Sequence, residues 1–192
     1  YLFGFGSLIN INSAQKSFQR VLKQEDLIPV QIKGFQRVWN ALESIKFDEE
    51  PVDGVFFNIE KSPQNTLSGV VIKITAQELE ILKLREKNYS CINISFKDVL
   101  NREFDSDLIA FMTTNEEKIA KRNDKSCFIP SKYIDIVTEG LKNYDEFFVN
   151  DFKKCLENLP FPLKEGNYTF SDPIKNSAAR EGINKKNETK VT

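Results

Sequence analysis

The chain reads as an α+β fold: a small mixed β-sheet or barrel with helices flanking it. Three observations predict this. Strand-like runs rich in β-branched and aromatic residues fill the earlier part of the sequence, with only two helical stretches among them. Helical periodicity gathers at the C-terminal end. The regular strand–helix alternation of a doubly wound sheet is missing, as are GxGxxG and P-loop sequences.

The elements follow in order. Residues 1–6 form a first strand. Ser13 to Leu22 is expected to be a short helix, with Ser13 as its N-cap and Ala14, Phe18, Val21 and Leu22 as its apolar positions. Pro29 to Trp39 is β-like, and Phe47 to Val52, with Pro51 and Asp53-Gly54 after it, is an acidic turn. Val55 to Ile59 is a strand, Lys61 to Thr66 a polar turn around Pro63, and Leu67 to Ile74 the clearest strand in the chain. Thr75 then caps a helix, with Glu78 three residues on completing a capping box. Leu79, Leu82 and Glu86 share one face of that helix.

Strands are expected from Tyr89 to Val99 and from Leu108 to Thr113. From Ser131, Tyr133, Ile134, Val137 and Leu141 make an apolar helical stripe. Tyr144 to Leu159 is a second helix, carrying Phe147, Phe148, Phe152, Cys155 and Leu156 and ended by Pro160 and Pro162. Residues 1–170 read as one domain, and residues 171–192 as a polar, loosely held C-terminal tail. No internal repeat or dividing linker is seen.

Composition narrows the function. Of 192 residues, 40% are hydrophobic and 16 are Phe, enough for a substantial core. Lys and Arg total 27 against 28 Asp and Glu, so the net charge is −1. That balance supplies neither the basic face that nucleic acid needs nor an attraction to anionic membranes. No apolar run approaches the ~20 residues that span a bilayer. The first residues lack the pattern of a secretory signal and also lack a Met. Cys91, Cys127 and Cys155 are odd in number and far apart, without a CxxC pair. They read as reduced thiols of a cytoplasmic protein, with Cys91 packed in the core, and no metal or other cofactor is expected. The chain contains no histidine. Ser-His-Asp and Cys-His chemistry is therefore closed to it, and proton transfer falls to a carboxylate, Lys, Tyr or Cys.

Two segments carry chemistry. Tyr1-Leu2-Phe3-Gly4-Phe5-Gly6-Ser7-Leu8 is a buried strand running into a tight turn. Glycines there let a ligand approach backbone N–H groups closely, a cradle for a carboxylate or a phosphate. About eighty residues on, Leu82 to Tyr89 hands a helix over to a strand, with Arg85, Glu86 and Lys87 at the junction. A carboxylate there can be partly buried, which suits it to proton transfer. A solvated charge cluster is the plain alternative for those three residues.

Taken together the segments resemble the γ-glutamylcyclotransferase superfamily, most closely its ChaC-like, glutathione-degrading branch. Phe3-Gly4-Phe5-Gly6-Ser7-Leu8 is similar to the family's Phe-Gly-Tyr-Gly-Ser-Leu opening. Gly34 to Trp39 resembles its Gly-aromatic-x-Arg strand, and Gly69 to Ile74 its glycine-led central strand. Leu84-Arg85-Glu86-Lys87-Asn88-Tyr89 resembles the Arg-Glu-Lys-x-Gly-Tyr element that bears the essential glutamate. Pro130 to Tyr133, with Ile136 and Gly140, is similar to the C-terminal helix entry. Two departures stand: Phe5 replaces a Tyr, and the spacing through Asn88 to Tyr89 is one residue short.

The resemblance implies a γ-glutamylcyclotransferase-like fold and a small γ-glutamyl substrate, most directly glutathione, converted to 5-oxoproline and a free amine (Cys-Gly). It implies Glu86 as the general acid/base, and substrate contacts from Phe3, Gly4, Phe5, Gly6, Ser7, Leu8, Arg37, Tyr89 and Tyr133. Arg37 has a structural alternative in pairing with an acidic neighbour, and Tyr133 one in core packing. Ser7 reads as a turn residue, since no base is present to activate its hydroxyl. Other γ-glutamyl amino acids or γ-glutamylamines are alternative substrates. A non-catalytic module that binds small carboxylates is the alternative outside enzymes.

Overall fold

A computed structural model describes residues 1–87, 89–122 and 124–183. The described residues form an eight-stranded mixed sheet with five α-helices around it. The main path of the sheet runs β4-β5-β1-β3-β2-β8. These strands are β1 (Leu2–Gly4), β2 (Ile28–Phe47), β3 (Glu50–Ile72), β4 (Ser90–Ile94), β5 (Leu108–Met112) and β8 (Tyr168–Phe170). Off this path, β6 (Cys127–Pro130) pairs with β3 and with β7 (Leu163–Lys164).

The backbone of the fold is one long antiparallel hairpin, β2 against β3. The three segments expected between Pro29 and Ile74 are parts of these two strands. The reversal falls at Asp48-Glu49, both with positive φ (46° and 70°), between the paired Phe47 and Glu50. This is the two-residue turn geometry that follows the right-handed twist of a hairpin. Asp53-Gly54, expected near the turn, lies within β3. The polar turn expected at 61–66 is a jump in register inside the hairpin. Pairing passes from Lys33↔Thr66 to Phe35↔Lys61 across Gly34, whose φ of +87° a side chain would strain.

β1 inserts beside β3, antiparallel to it, with Phe3 opposite Val71, and runs parallel to β5. Gly69 makes room for this. A Cβ on it would lie 2.5 Å from the Phe3 ring and 2.6 Å from the Gly4 carbonyl oxygen. Helices α3 (Ser131–Leu141) and α4 (Glu146–Leu156) follow the expected stripes and bury Tyr133, Val137, Leu141, Phe148 and Phe152. Phe147, read as part of the second stripe, is exposed at the surface.

Several expectations are corrected. Helix α1 is only Ile11–Gln15, and its cap is Asn10, whose side chain accepts from the Asn12 and Ser13 N–H groups at 2.9 and 3.2 Å. The Gln15 side chain then organises a loop where the helix was expected to continue. It donates to the Phe18 and Arg20 carbonyls and accepts from the Leu22 N–H. Phe18 and Leu22 still reach the core from that loop, while Val21 is exposed. Cys91 is also exposed, because β4 alternates and puts Ile94 inward. The loosely held tail expected from residue 171 is, as far as residue 183, a piece of folded structure. Asp172 caps helix α5 (Pro173–Glu181), which packs against β8 and α2 (Ala76–Arg85). Residues 184–192 and the departure at Asn88 lie outside the described residues.

Candidate active site

The opening strand ends in a 3₁₀ turn, Ser7–Ile9, because two glycines let the chain fold back on itself. A Cβ at Gly4 would sit 2.7 Å from the Leu8 Cβ. A Cβ at Gly6 would sit 2.6 Å from the Tyr133 hydroxyl oxygen. Both glycines are required by close approach, and neither by a positive φ. The turn is clamped from behind. Arg37 Nε donates to the Phe5 carbonyl at 2.9 Å, and the Tyr144 hydroxyl donates to the Ile9 carbonyl at 2.7 Å. Asn10 Nδ2 donates to the Ile136 carbonyl at 2.9 Å.

Helix α2 begins with the expected capping box, Thr75 accepting from the Glu78 N–H while the Glu78 carboxylate accepts from the Thr75 N–H. It ends at Glu86, its C-cap, whose N–H donates to the Leu82 carbonyl at 2.8 Å. The Glu86 side chain is 21% exposed and faces Arg85 Nε at 3.3 Å. Arg85 is itself held by a hydrogen bond to the Ser17 hydroxyl.

A cavity of about 490 Å³ opens between these two constructions. Phe3, Gly4, Phe5, Gly6, Ser7, Leu8, Glu86, Tyr89 and Tyr133 all line it. Residues separated by about eighty positions thus meet around one space. Tyr133 is buried, with its ring 5.0 Å from Phe56 and 5.8 Å from Phe57, edge-on to both. Burial pushes its hydroxyl well above the ordinary tyrosine range, while the backbones of Phe57 and Ser7 pull the other way. The Tyr89 hydroxyl is likewise raised, by burial first and then by the Glu43 and Glu86 carboxylates. Both phenols are therefore protonated hydrogen-bond donors at neutral pH.

Arg37 is the exception among the residues singled out in the sequence. It does not line the cavity. Its side chain is 1% exposed and pairs with Asp151 at 3.2 Å. It also donates to the Phe5 and Ser68 carbonyls and lies 3.4 Å from the Phe152 ring centroid. Burial lowers its pKa, and Asp151 opposes that. Arg37 therefore anchors the turn from the protein side and has no free donor face for a ligand carboxylate.

Among the lining residues that the sequence did not single out are Glu43 and Lys175. Glu43 sits in β2 with its side chain only 7% exposed, and Lys175 reaches it from α5. A signal for Glu43 was present. Trp39, Ala41, Ile45 and Phe47 occupy the inward register of β2, and Glu43 shares it. For Lys175 the only cue was Asp172-Pro173, a cap followed by a proline at the first helical position. Lys16, Lys132 and Arg180 also line the cavity. Among the described residues, no group of three or more Cys, Asp or Glu converges as a metal ion would require. No described helix is long and apolar enough to cross a membrane.

No protein-family model and no curated protein matches the chain by sequence. Solved structures match it in fold. The crystal structure of YkqA from Bacillus subtilis aligns with a TM-score of 0.59 at 20% identity, over 84% of this chain and 55% of that one. This chain therefore spans about half the length of YkqA. A structure named as a gamma-glutamyl cyclotransferase aligns at 0.55 and 17% identity, over 94% of this chain and 98% of the other. A yeast gamma-glutamyl cyclotransferase specific to glutathione aligns at 0.50 and 13%, over 81% and 95%. The chain has the fold of the γ-glutamyl cyclotransferase structures.

Proposed function

We propose that this chain is a γ-glutamylcyclotransferase, acting on a γ-glutamyl peptide such as glutathione and releasing 5-oxoproline and the free amine. The observation that carries this is the shared cavity, lined at once by the Gly4–Leu8 turn and by Glu86.

The reaction is a ring closure. The α-nitrogen of the γ-glutamyl group bonds to its own γ-carbonyl carbon, and the bond from that carbon to the departing nitrogen breaks. The two protons that the α-ammonium sheds reappear on the departing nitrogen. A carboxylate within reach of both nitrogens carries them in turn, and Glu86 is our candidate. The turn would hold the α-carboxylate through backbone N–H groups, folding the substrate so that amine and carbonyl meet. For a cyclisation such positioning is a large share of the rate. The protonated Tyr89 and Tyr133 hydroxyls supply donors to the same space. Lys16, Lys132 and Arg180 suit a departing group that carries its own carboxylate, which favours γ-glutamyl peptides and amino acids over γ-glutamylamines.

The test is 5-oxoproline release from glutathione, γ-glutamylalanine and a γ-glutamylamine, by wild type and Glu86→Gln. We expect product from the first or second substrate. Glu86→Gln should unfold at the wild-type temperature and release none. A variant that keeps full activity removes Glu86 from the mechanism. Tight binding of all three without product makes the chain a carboxylate-binding module.

A further inference from the structure

Glu43 and Lys175 form an ion pair in the cavity wall, with side chains 7% and 12% exposed. The Lys175 ammonium also lies 3.4 Å from the Tyr89 hydroxyl and 4.5 Å from the Tyr89 ring centroid. Helix α5 is fixed at both ends while it delivers this group. Asp172, its cap, pairs with Lys87, the neighbour of Glu86, at 2.8 Å. At the far end, Lys16 Nζ donates to the Ala179 carbonyl at 2.7 Å, and the Ile183 N–H donates to the Lys16 carbonyl at 3.2 Å.

Two carboxylates, Glu43 and Glu86, therefore bear on one phenol, Tyr89, in one cavity. Each has its own cation. Arg85 pairs with the more exposed Glu86, and Lys175 with the more buried Glu43. Removing one partner of such a buried pair leaves the other charge uncompensated.

We propose that Lys175 is a positioning residue for the ring closure: it fixes Glu43 as an anion, with the Tyr89 hydroxyl beside it, and leaves Glu86 as the carboxylate that exchanges protons with the substrate. This rests on the cyclotransferase function proposed above. The sequence-distant helix α5 thereby becomes part of the working site.

The experiment compares the pH dependence of kcat/KM for 5-oxoproline release in wild type, Lys175→Met, Glu43→Gln and the double variant. Lys175→Met leaves the Glu43 charge uncompensated, so the acidic limb should move up, by on the order of one pH unit. Glu43→Gln leaves the Lys175 charge uncompensated, so the limb should move down. The double variant removes both charges and should return it to the wild-type position. Lys175→Arg should keep the limb in place. A purely structural pair would lower stability in both single variants without moving the limb in opposite directions. Single variants that share the wild-type limb, or move the same way, overturn the proposal. The Glu86 carboxyl resonance, followed by ¹³C NMR, gives the same comparison without turnover. If wild type releases no 5-oxoproline from any γ-glutamyl substrate, the cyclotransferase function fails and the catalytic role of Lys175 with it. Opposite displacements of that resonance would then still establish the charge coupling, and their absence would overturn that too.

Discussion

Replacing Arg37 by Met separates a structural anchor from a substrate contact. The substitution keeps most of the aliphatic stem and deletes the guanidinium. It leaves Asp151 without its 3.2 Å partner and removes one donor each from the Phe5 and Ser68 carbonyls. Breaking a buried pair costs about 3–5 kcal/mol, and Asp151, at 18% exposure, is wet enough to place this pair at the low end. Each of the two carbonyls that loses a donor adds roughly 0.5 kcal/mol, the low end of a hydrogen bond's net contribution. The sum is about 4 kcal/mol. For a chain of this size that lowers Tm by about 8–16 °C. Thermal unfolding followed by circular dichroism measures it. Asp151→Asn should also destabilise, and the double variant should lose less than the two single losses added together. KM measured in the cold, where the variant remains folded, should stay within a few-fold of wild type. An unchanged Tm with a large rise in KM would refute the anchor and return Arg37 to the substrate.

Two further predictions concern the tyrosines. Gly6→Ala places a methyl 2.6 Å from a Tyr133 oxygen that cannot swing away from the rings of Trp39, Phe56 and Phe57. We expect a loss of about 1–3 kcal/mol in denaturant unfolding, largely relieved when Tyr133→Phe removes the oxygen; strictly additive losses would contradict that contact. The hydroxyls of Tyr89, Tyr133, Tyr144 and Tyr168 are pushed up chiefly by burial, Tyr144 to about 12, and that of Tyr1 by its hydrogen bond to Asp105. A raised pKa means that the folded chain keeps protons the unfolded chain gives up above about pH 10. Stability contributed this way is intact below that pH and falls as pH rises through it. Tyrosinate absorbance should therefore stay low past pH 10 and climb with unfolding; a gradual titration centred near 10 in the folded protein would contradict it.

Local chemistry made much of the fold legible. The Thr75–Glu78 capping box and the α3 and α4 stripes are set by residues three or four apart, and the structure keeps them. The Ser7 turn and Glu86 were recognisable as motifs, and the structure brings them to one cavity. Errors arose where a side chain chose between local and distant partners. Asn10 and Gln15 took over backbone groups that a longer α1 would have used. Phe47 to Ile74 looked like several short strands because Pro51, Gly54 and Pro63 are ordinarily breakers. The long pairing of β2 with β3 takes in Pro51 and Gly54 and passes Pro63 at the register jump, and no window of a few residues contains that pairing. Cys91 went outward because β4 fixes its phase by the register with β5.

The α+β class, the glycine turn, the placing of Glu86 at a helix end and the exclusion of histidine chemistry can all be read from the chain alone. These depend on residue type and short spacing. That Arg37 faces inward to Asp151, and that Glu43 and Lys175, 132 positions apart, share a cavity wall, could be seen only in the folded arrangement. A charge's role depends on which opposite charge and how much water surround it, and both are settled when distant elements pack.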